Sequence, residues 1–123
     1  MVIDDDPAIA AALEMGLTLA GHQVVLAHDG HTGYALLHTP PTPDVLVVDL
    51  LLPGISGRRL VEHMAADPEL CRIPVIIATA TADQEFLPPP GTYRTILRKP
   101  FDLSDALEAV GRALTQEQAD ETA

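Results

Sequence analysis

Short runs of β-branched and aliphatic residues alternate along the chain with stretches whose apolar positions recur at helical spacing. The short runs, at residues 1–3, 23–27, 45–48, 75–78 and 93–97, predict strands. Between them, residues 7–20, 32–37, 59–66 and 103–114 predict helices. The first is the clearest. Ile9, Leu13 and Leu17 share one face, Asp6 suits the N-cap, Pro7 the first helical position and Gly21 the stop. Asp102 and Asp105 have the spacing of a capping box for the last helix. Residues 116–123 are polar and acidic and are expected to form a frayed, flexible tail after a single domain at residues 1–115. Strands alternating with helices predict an α/β fold, a doubly wound five-stranded parallel sheet covered on both faces.

In such sheets ligands bind beyond the carboxyl ends of the strands. The first predicted strand ends in Asp4, Asp5 and Asp6, the third in Asp49, the fourth in Thr79 and the fifth in Lys99 followed by Pro100. The second ends in His28-Asp29-Gly30, which reads as a turn into a helix.

Composition narrows the partners. The chain has 123 residues, of which 47% are hydrophobic and 3% aromatic, so a sizeable aliphatic core is expected and disorder is not. Eighteen acids against seven bases give a net charge of −11. Without a cluster of Lys and Arg, direct binding to nucleic acid or to an anionic membrane surface is not expected. No apolar run is long enough to span a bilayer, and the first residues lack the basic and apolar regions of a signal peptide. Cys71 is the only cysteine and can form no internal disulfide. The cytoplasm is the expected compartment.

If the first and third strands are neighbours, Asp4, Asp5 and Asp49 lie close together. Carboxylates at that distance repel unless a cation intervenes. Oxygen-only ligands suit Mg²⁺ better than zinc. Lys99, the only lysine, adds a fixed cation, and Thr79 adds a hydroxyl donor. A carboxylate nucleophile, Mg²⁺ and a lysine are the parts needed for phosphoryl transfer to an aspartate. Each residue also has a plainer reading. Asp6 is better explained as a helix cap than as a ligand. Thr79 alone could simply bond backbone, and a lone lysine is usually solvated. His28 and His31 flank a helix-start turn without a third ligand. His22, His38 and His63 read as surface or edge residues, and Cys71 has no neighbouring histidine to activate it.

Four stretches together resemble the receiver domain of two-component response regulators. They are Val2-Ile3-Asp4-Asp5-Asp6-Pro7, Val47-Val48-Asp49-Leu50-Leu51-Leu52-Pro53-Gly54, Pro74-Val75-Ile76-Ile77-Ala78-Thr79-Ala80 and Lys99-Pro100-Phe101. The resemblance runs from Val2 to about Leu114. It implies a flavodoxin-like sheet of order 2-1-3-4-5. It also implies that Asp49 accepts a phosphoryl group from a phosphohistidine of a sensor kinase or phosphotransfer protein, and that the domain then signals to a downstream protein by conformational change. By the same resemblance Asp5 binds Mg²⁺ directly, Asp4 through water, and Asp49 and the backbone carbonyl of Leu51 complete the protein ligands. Thr79 and the backbone N–H of Ala80 contact the phosphoryl group, Lys99 pairs with it, and Pro100 follows a cis peptide bond. The domain is expected to assist its own phosphorylation and dephosphorylation without being an enzyme on other substrates.

The chain departs from the family pattern in four places. Its first strand is short. Leu87-Pro88-Pro89-Pro90-Gly91 falls where the family has its fourth helix, and three prolines cannot continue a helix. A turn or two within residues 82–87, then an extended loop, is expected, leaving the fourth helix short or missing. That disturbs the family's output surface and favours a monomer or weak dimer. Ile96 stands where the family often has Tyr or Phe coupled to the Thr hydroxyl. Leu51 and Thr81 occupy positions that tune loss of phosphate, and Leu51 cannot orient a water. Two other functions stay open on the sequence: an Mg²⁺-dependent phosphohydrolase, against which Leu50 and Leu51 replace the second acid, and an unphosphorylated interaction module with a vestigial pocket.

Overall fold

Asp6 and Pro7 start the first helix in the way the sequence suggests. The Asp6 carboxylate accepts the N–H groups of Ala8 at 2.9 Å and Ile9 at 3.3 Å, and α1 spans Pro7–Leu19. Gly21, with φ of +97°, turns the chain out of it. The computed structural model describes residues 1–81 and 83–122 of the chain. Five strands, β1 (Val2–Ile3), β2 (Leu26–Ala27), β3 (Leu46–Val48), β4 (Val75–Thr79) and β5 (Thr95–Arg98), form one sheet of order β2-β1-β3-β4-β5. Every pairing is parallel. The remaining helices are α2 (Gly30–Leu37), α3 (Gly57–Ala66) and α4 (Leu103–Thr122).

Successive strand residues point to opposite faces, so each strand feeds two cores. Ile3, Val48 and Ile77 pack with Leu37, Leu60 and Met64 of α2 and α3. Val2, Val47 and Ile76 pack with Leu13 and Leu17 of α1 and Val110 and Ala113 of α4. Each such aliphatic side chain contributes roughly 1.5–3 kcal/mol on burial.

Several boundaries differ from the sequence reading. The predicted strand at 23–27 shrinks to Leu26–Ala27, because β1 offers it only Val2 and Ile3 as partners. The short β1 is nonetheless saturated on both sides. Val2 and Asp4 donate to Val25 and Ala27, and Val47 and Asp49 donate to Met1 and Ile3, at 2.9–3.0 Å. α2 starts earlier than expected, since Asp29 caps it through the Thr32 N–H at 2.7 Å. α3 also starts earlier, capped by Ser56. The last helix does not end near Leu114 but continues to Thr122, because no Gly or Pro stops it. Its start is marked by the Asp102 carbonyl, which accepts from Asp105 at 3.0 Å and Ala106 at 3.3 Å. The position of Ala123 lies outside the described residues.

The region of the fourth family helix holds one 3₁₀ turn, Gln84–Phe86, capped by Asp83, after which Leu87 is extended. Ala82, where the expected turn would begin, lies outside the described residues. A turn closed by the Thr92 N–H on the Pro89 carbonyl then leads into β5.

Gly57 fixes the loop after β3 against the sheet. Its N–H donates to the Leu50 carbonyl at 2.8 Å. A Cβ there would stand 2.0 Å from the Asp49 carbonyl oxygen and 2.7 Å from Leu50 Cα, both backbone atoms that cannot yield cheaply. Gly57→Ala is expected to destabilise the fold by about 3 kcal/mol, read as a lower urea midpoint. An unchanged midpoint would contradict the close approach.

Candidate functional site

Three strand ends meet over β1, β3 and β5. Asp4 continues β1 into a buried position, 1% exposed. Its Oδ1 accepts the Asp6 N–H at 2.9 Å, and its backbone carbonyl lies 3.3 Å from His28 Nδ1. Asp49 continues β3, is also buried, and accepts the Leu51 N–H on Oδ1 at 3.2 Å. Lys99 follows β5, held by its N–H on the Thr79 carbonyl at 2.9 Å. Its ammonium donates to Asp4 Oδ2 at 2.8 Å and to Asp49 Oδ2 at 2.9 Å. The Lys99–Pro100 peptide is cis, as the resemblance implied; Pro40–Pro41 is cis as well.

Asp5 is exposed beside them, and one carboxylate oxygen from each of Asp4, Asp5 and Asp49 lies within 4.8 Å of the others. Three carboxylates so placed carry more negative charge than one lysine offsets. Burial is the largest single influence on Lys99 and pushes its pKa down, but the hydrogen bonds and charges of Asp4 and Asp49 outweigh it and hold the pKa above the ordinary value. The donor set is all oxygen, one ligand is open to solvent, and the charge calls for a cation. That fits a hard divalent ion such as Mg²⁺, with Asp4, Asp5 and Asp49 to hold it.

The other expected site residues take different places. Thr79 is fully buried at the end of β4, and its hydroxyl oxygen accepts the Thr81 N–H at 3.3 Å. Ala80 is exposed next to it. Leu51 is 50% exposed beside Asp49. Asp6 serves as a cap, apart from the cluster. His31 packs against Gly54, where a Cβ would meet its ring at 2.6 Å. His38 and His63, read as surface residues, are exposed but flank the Tyr34 ring edge-on, with centroids at 4.7 and 5.7 Å.

A groove of about 970 Å³, lined by Leu51, Ser56, Arg58, Glu85 and Phe86 among others, lies over the loop that follows Asp49 in the chain. The sequence reading did not single out Arg58, whose guanidinium donates to the Glu85 carbonyl and to Glu62 Oε1. An arginine in the first turn of a helix, seen in sequence, gives no hint of a partner 27 residues away.

Comparison with known proteins agrees with this geometry. The family model described as the response regulator receiver domain matches residues 1–111. Protein PilH of Pseudomonas aeruginosa is 35% identical over 117 residues, covering 93% of this chain and 95% of PilH. The DNA-binding dual master transcriptional regulator RpaA of Synechocystis is 36% identical over 119 residues, but the chain spans only 47% of its length. The receiver domain of the Francisella response regulator 1452 superposes with a TM-score of 0.82 at 26% identity, covering 94% of each chain. Among the described residues, no helix is long and apolar enough to cross a membrane.

Proposed function

The chain belongs to the response regulator receiver domain family of two-component signalling, and from that premise we propose that Asp49 is its phospho-acceptor. The observation that carries this reading is the Lys99 ammonium shared between Asp4 and Asp49, with Asp5 alongside. An Asp49 oxygen attacks the phosphorus of a phosphohistidine on a kinase or phosphotransfer partner. The new O–P bond forms as the P–N bond breaks, and the imidazole leaves. In this reading Lys99 meets the phosphoryl oxygens, and the Thr79 hydroxyl and Ala80 N–H, at the end of β4, would donate to them. Asp4, Asp5, Asp49 and the Leu51 carbonyl would hold Mg²⁺, which when bound offsets the charge of the carboxylates and of the phosphoryl group. Leu50 and Leu51 stand where a phosphohydrolase would carry a second acid, which favours acceptance over turnover. In this reading residues 1–115 form the receiver unit, acting in the cytoplasm on a protein target.

Incubation with Mg²⁺ and acetyl phosphate, followed by intact mass measurement, tests it. One phosphoryl adduct is expected with Mg²⁺ and none with EDTA; phosphate release without an adduct would favour the hydrolase instead. Two further outcomes follow. Asp5→Ala is expected to weaken Mg²⁺ binding roughly a hundredfold, since affinity follows the number of charged ligands; calorimetric titration with Mg²⁺ that finds an unchanged Kd removes Asp5 from the site. The adduct is expected to be long-lived, because apolar Leu51 cannot orient an attacking water. A lifetime of seconds in Mg²⁺ would contradict this.

A further inference from the structure

The residues after β4 alternate, with polar Thr79, Thr81, Asp83 and Glu85 at every second position. The structure turns this alternation into a ladder. Thr79 Oγ1 accepts the Thr81 N–H at 3.3 Å, Thr81 Oγ1 accepts the Asp83 N–H at 3.1 Å, and Asp83 Oδ1 accepts the Glu85 N–H at 3.0 Å. The Glu85 carbonyl in turn accepts from the Arg58 guanidinium on α3. Each rung joins described residues. The ladder starts at a fully buried hydroxyl beside the acidic cluster and ends on the wall of the groove, where Leu51 and Phe86 are 50% and 43% exposed.

Resting on the phospho-acceptor reading, we propose that Asp83 and Arg58 are positioning residues of this site. They hold the Thr79 hydroxyl through the ladder and carry the state of Asp49 to the groove. The physical reason lies in the hydroxyl. With one lone pair taken by the Thr81 N–H, its proton is free to donate, and a hydroxyl that already accepts is the stronger donor. When it donates to a phosphoryl oxygen on Asp49, the Thr81 bond tightens in return, and the shift of the Thr81 backbone moves the Oγ1 that accepts from Asp83 and with it the rungs beyond. Ile96 has no ring or hydroxyl to swing, so the ladder gives the chain a route to its surface that needs no aromatic side chain.

The test follows the full chain in Mg²⁺ and acetyl phosphate by intact mass and by ¹⁵N NMR in parallel. In the unmodified sequence the adduct forms, and the amides of Thr81, Asp83 and Glu85 shift together with the Arg58 Nη1–H, which donates to the Glu85 carbonyl. Asp83→Ala keeps the adduct and the Thr81 response but loses the Glu85 and Arg58 responses and shortens the adduct lifetime. Asp83→Asn, which keeps an acceptor oxygen, restores both. Arg58→Gln reads the ladder from its far end: the adduct forms while the Glu85 response falls. These differences depend on phosphorylation, so a merely structural role of the turn would not produce them. An adduct in the unmodified sequence with silent Glu85 and Arg58, or a full response in Asp83→Ala, overturns the proposal. An unmodified protein that forms no adduct overturns the phospho-acceptor reading, and the ladder's role with it.

Discussion

An Asp49→Asn protein is expected to fold and to take up no phosphoryl group from acetyl phosphate in Mg²⁺. Asparagine matches aspartate in shape and keeps a side-chain oxygen for the Leu51 N–H, which Asp49 Oδ1 now accepts at 3.2 Å. What it lacks is the anionic oxygen that attacks phosphorus. Asp4 and Asp5 do not substitute for it. Asp4 is the more deeply buried of the two carboxylates bound by Lys99, its side chain 2% exposed against 10% for Asp49, so a phosphoryl donor reaches it less readily. Asp5 is open to solvent, while the lysine that would meet the phosphoryl oxygens donates to Asp4 and Asp49. Loss of the adduct should therefore be complete rather than partial. Intact mass measurement checks this, with circular dichroism to show that the variant is folded; an undiminished adduct would move the acceptor elsewhere.

Lys99→Met is expected to have the largest effect on stability. The Lys99 side chain is 12% exposed, and its ammonium offsets two carboxylates whose side chains are 2% and 10% exposed. Removing it leaves a buried negative pair with a third carboxylate nearby, and breaking a buried pair from one side costs about 3–5 kcal/mol. Urea unfolding in EDTA should show that loss. Added Mg²⁺ should recover much of it, because a ligand that binds only the folded state stabilises it by mass action. The pH dependence has a fixed sign. The Lys99 pKa is raised above 10.5 in the folded state, so its contribution is fully present below 10.5 and is lost as pH rises through the raised value. The gap between Lys99→Met and the unmodified protein should then stay constant from neutral pH to about 10.5 and close as pH rises from there through the raised value. A variant as stable as the unmodified protein in EDTA would mean that the lysine is not holding the carboxylates together.

Much of this was legible in the sequence, for reasons that can be named. Asp6, Pro7 and Gly21 are local signals acting on their own neighbours, and they place α1 to within a residue of its observed end. The acidic and basic strand ends were legible because a buried strand leaves little else for a terminal charge to do. Lengths were less so. Gln23, Val24 and Val25 have strand-like side chains, yet a strand extends only as far as its partner, and β1 supplies two residues. The starts of α2 and α3 were hidden behind Gly30 and Gly57, poor helix formers retained because backbone passes where a Cβ would sit. The end of α4 was missed because polarity was read as fraying, while the residues after Leu114 carry no helix stop.

The site shows the same division. Residue types and order pointed to Asp4, Asp5, Asp49 and Lys99, but not to which pairs touch. Asp4 was expected to act on the metal through water; in the structure its carboxylate is bound by Lys99 as closely as that of Asp49 is. The ladder from Thr79 to Arg58 was visible only as alternation of short polar residues, a pattern that a strand or a loop could equally carry. Its meaning came from α3 lying across the turn at Gln84–Phe86.

The central claim is that the phosphoryl group resides on Asp49, and an acyl phosphate can be marked where it sits. Borohydride reduces it to an alcohol and leaves free carboxylates untouched. Phosphorylated protein treated in this way should yield homoserine at position 49, identified by fragmenting the peptide that contains Val47-Val48-Asp49-Leu50. Homoserine at position 4 or 5, or an adduct that leaves no homoserine at position 49, would contradict the assignment.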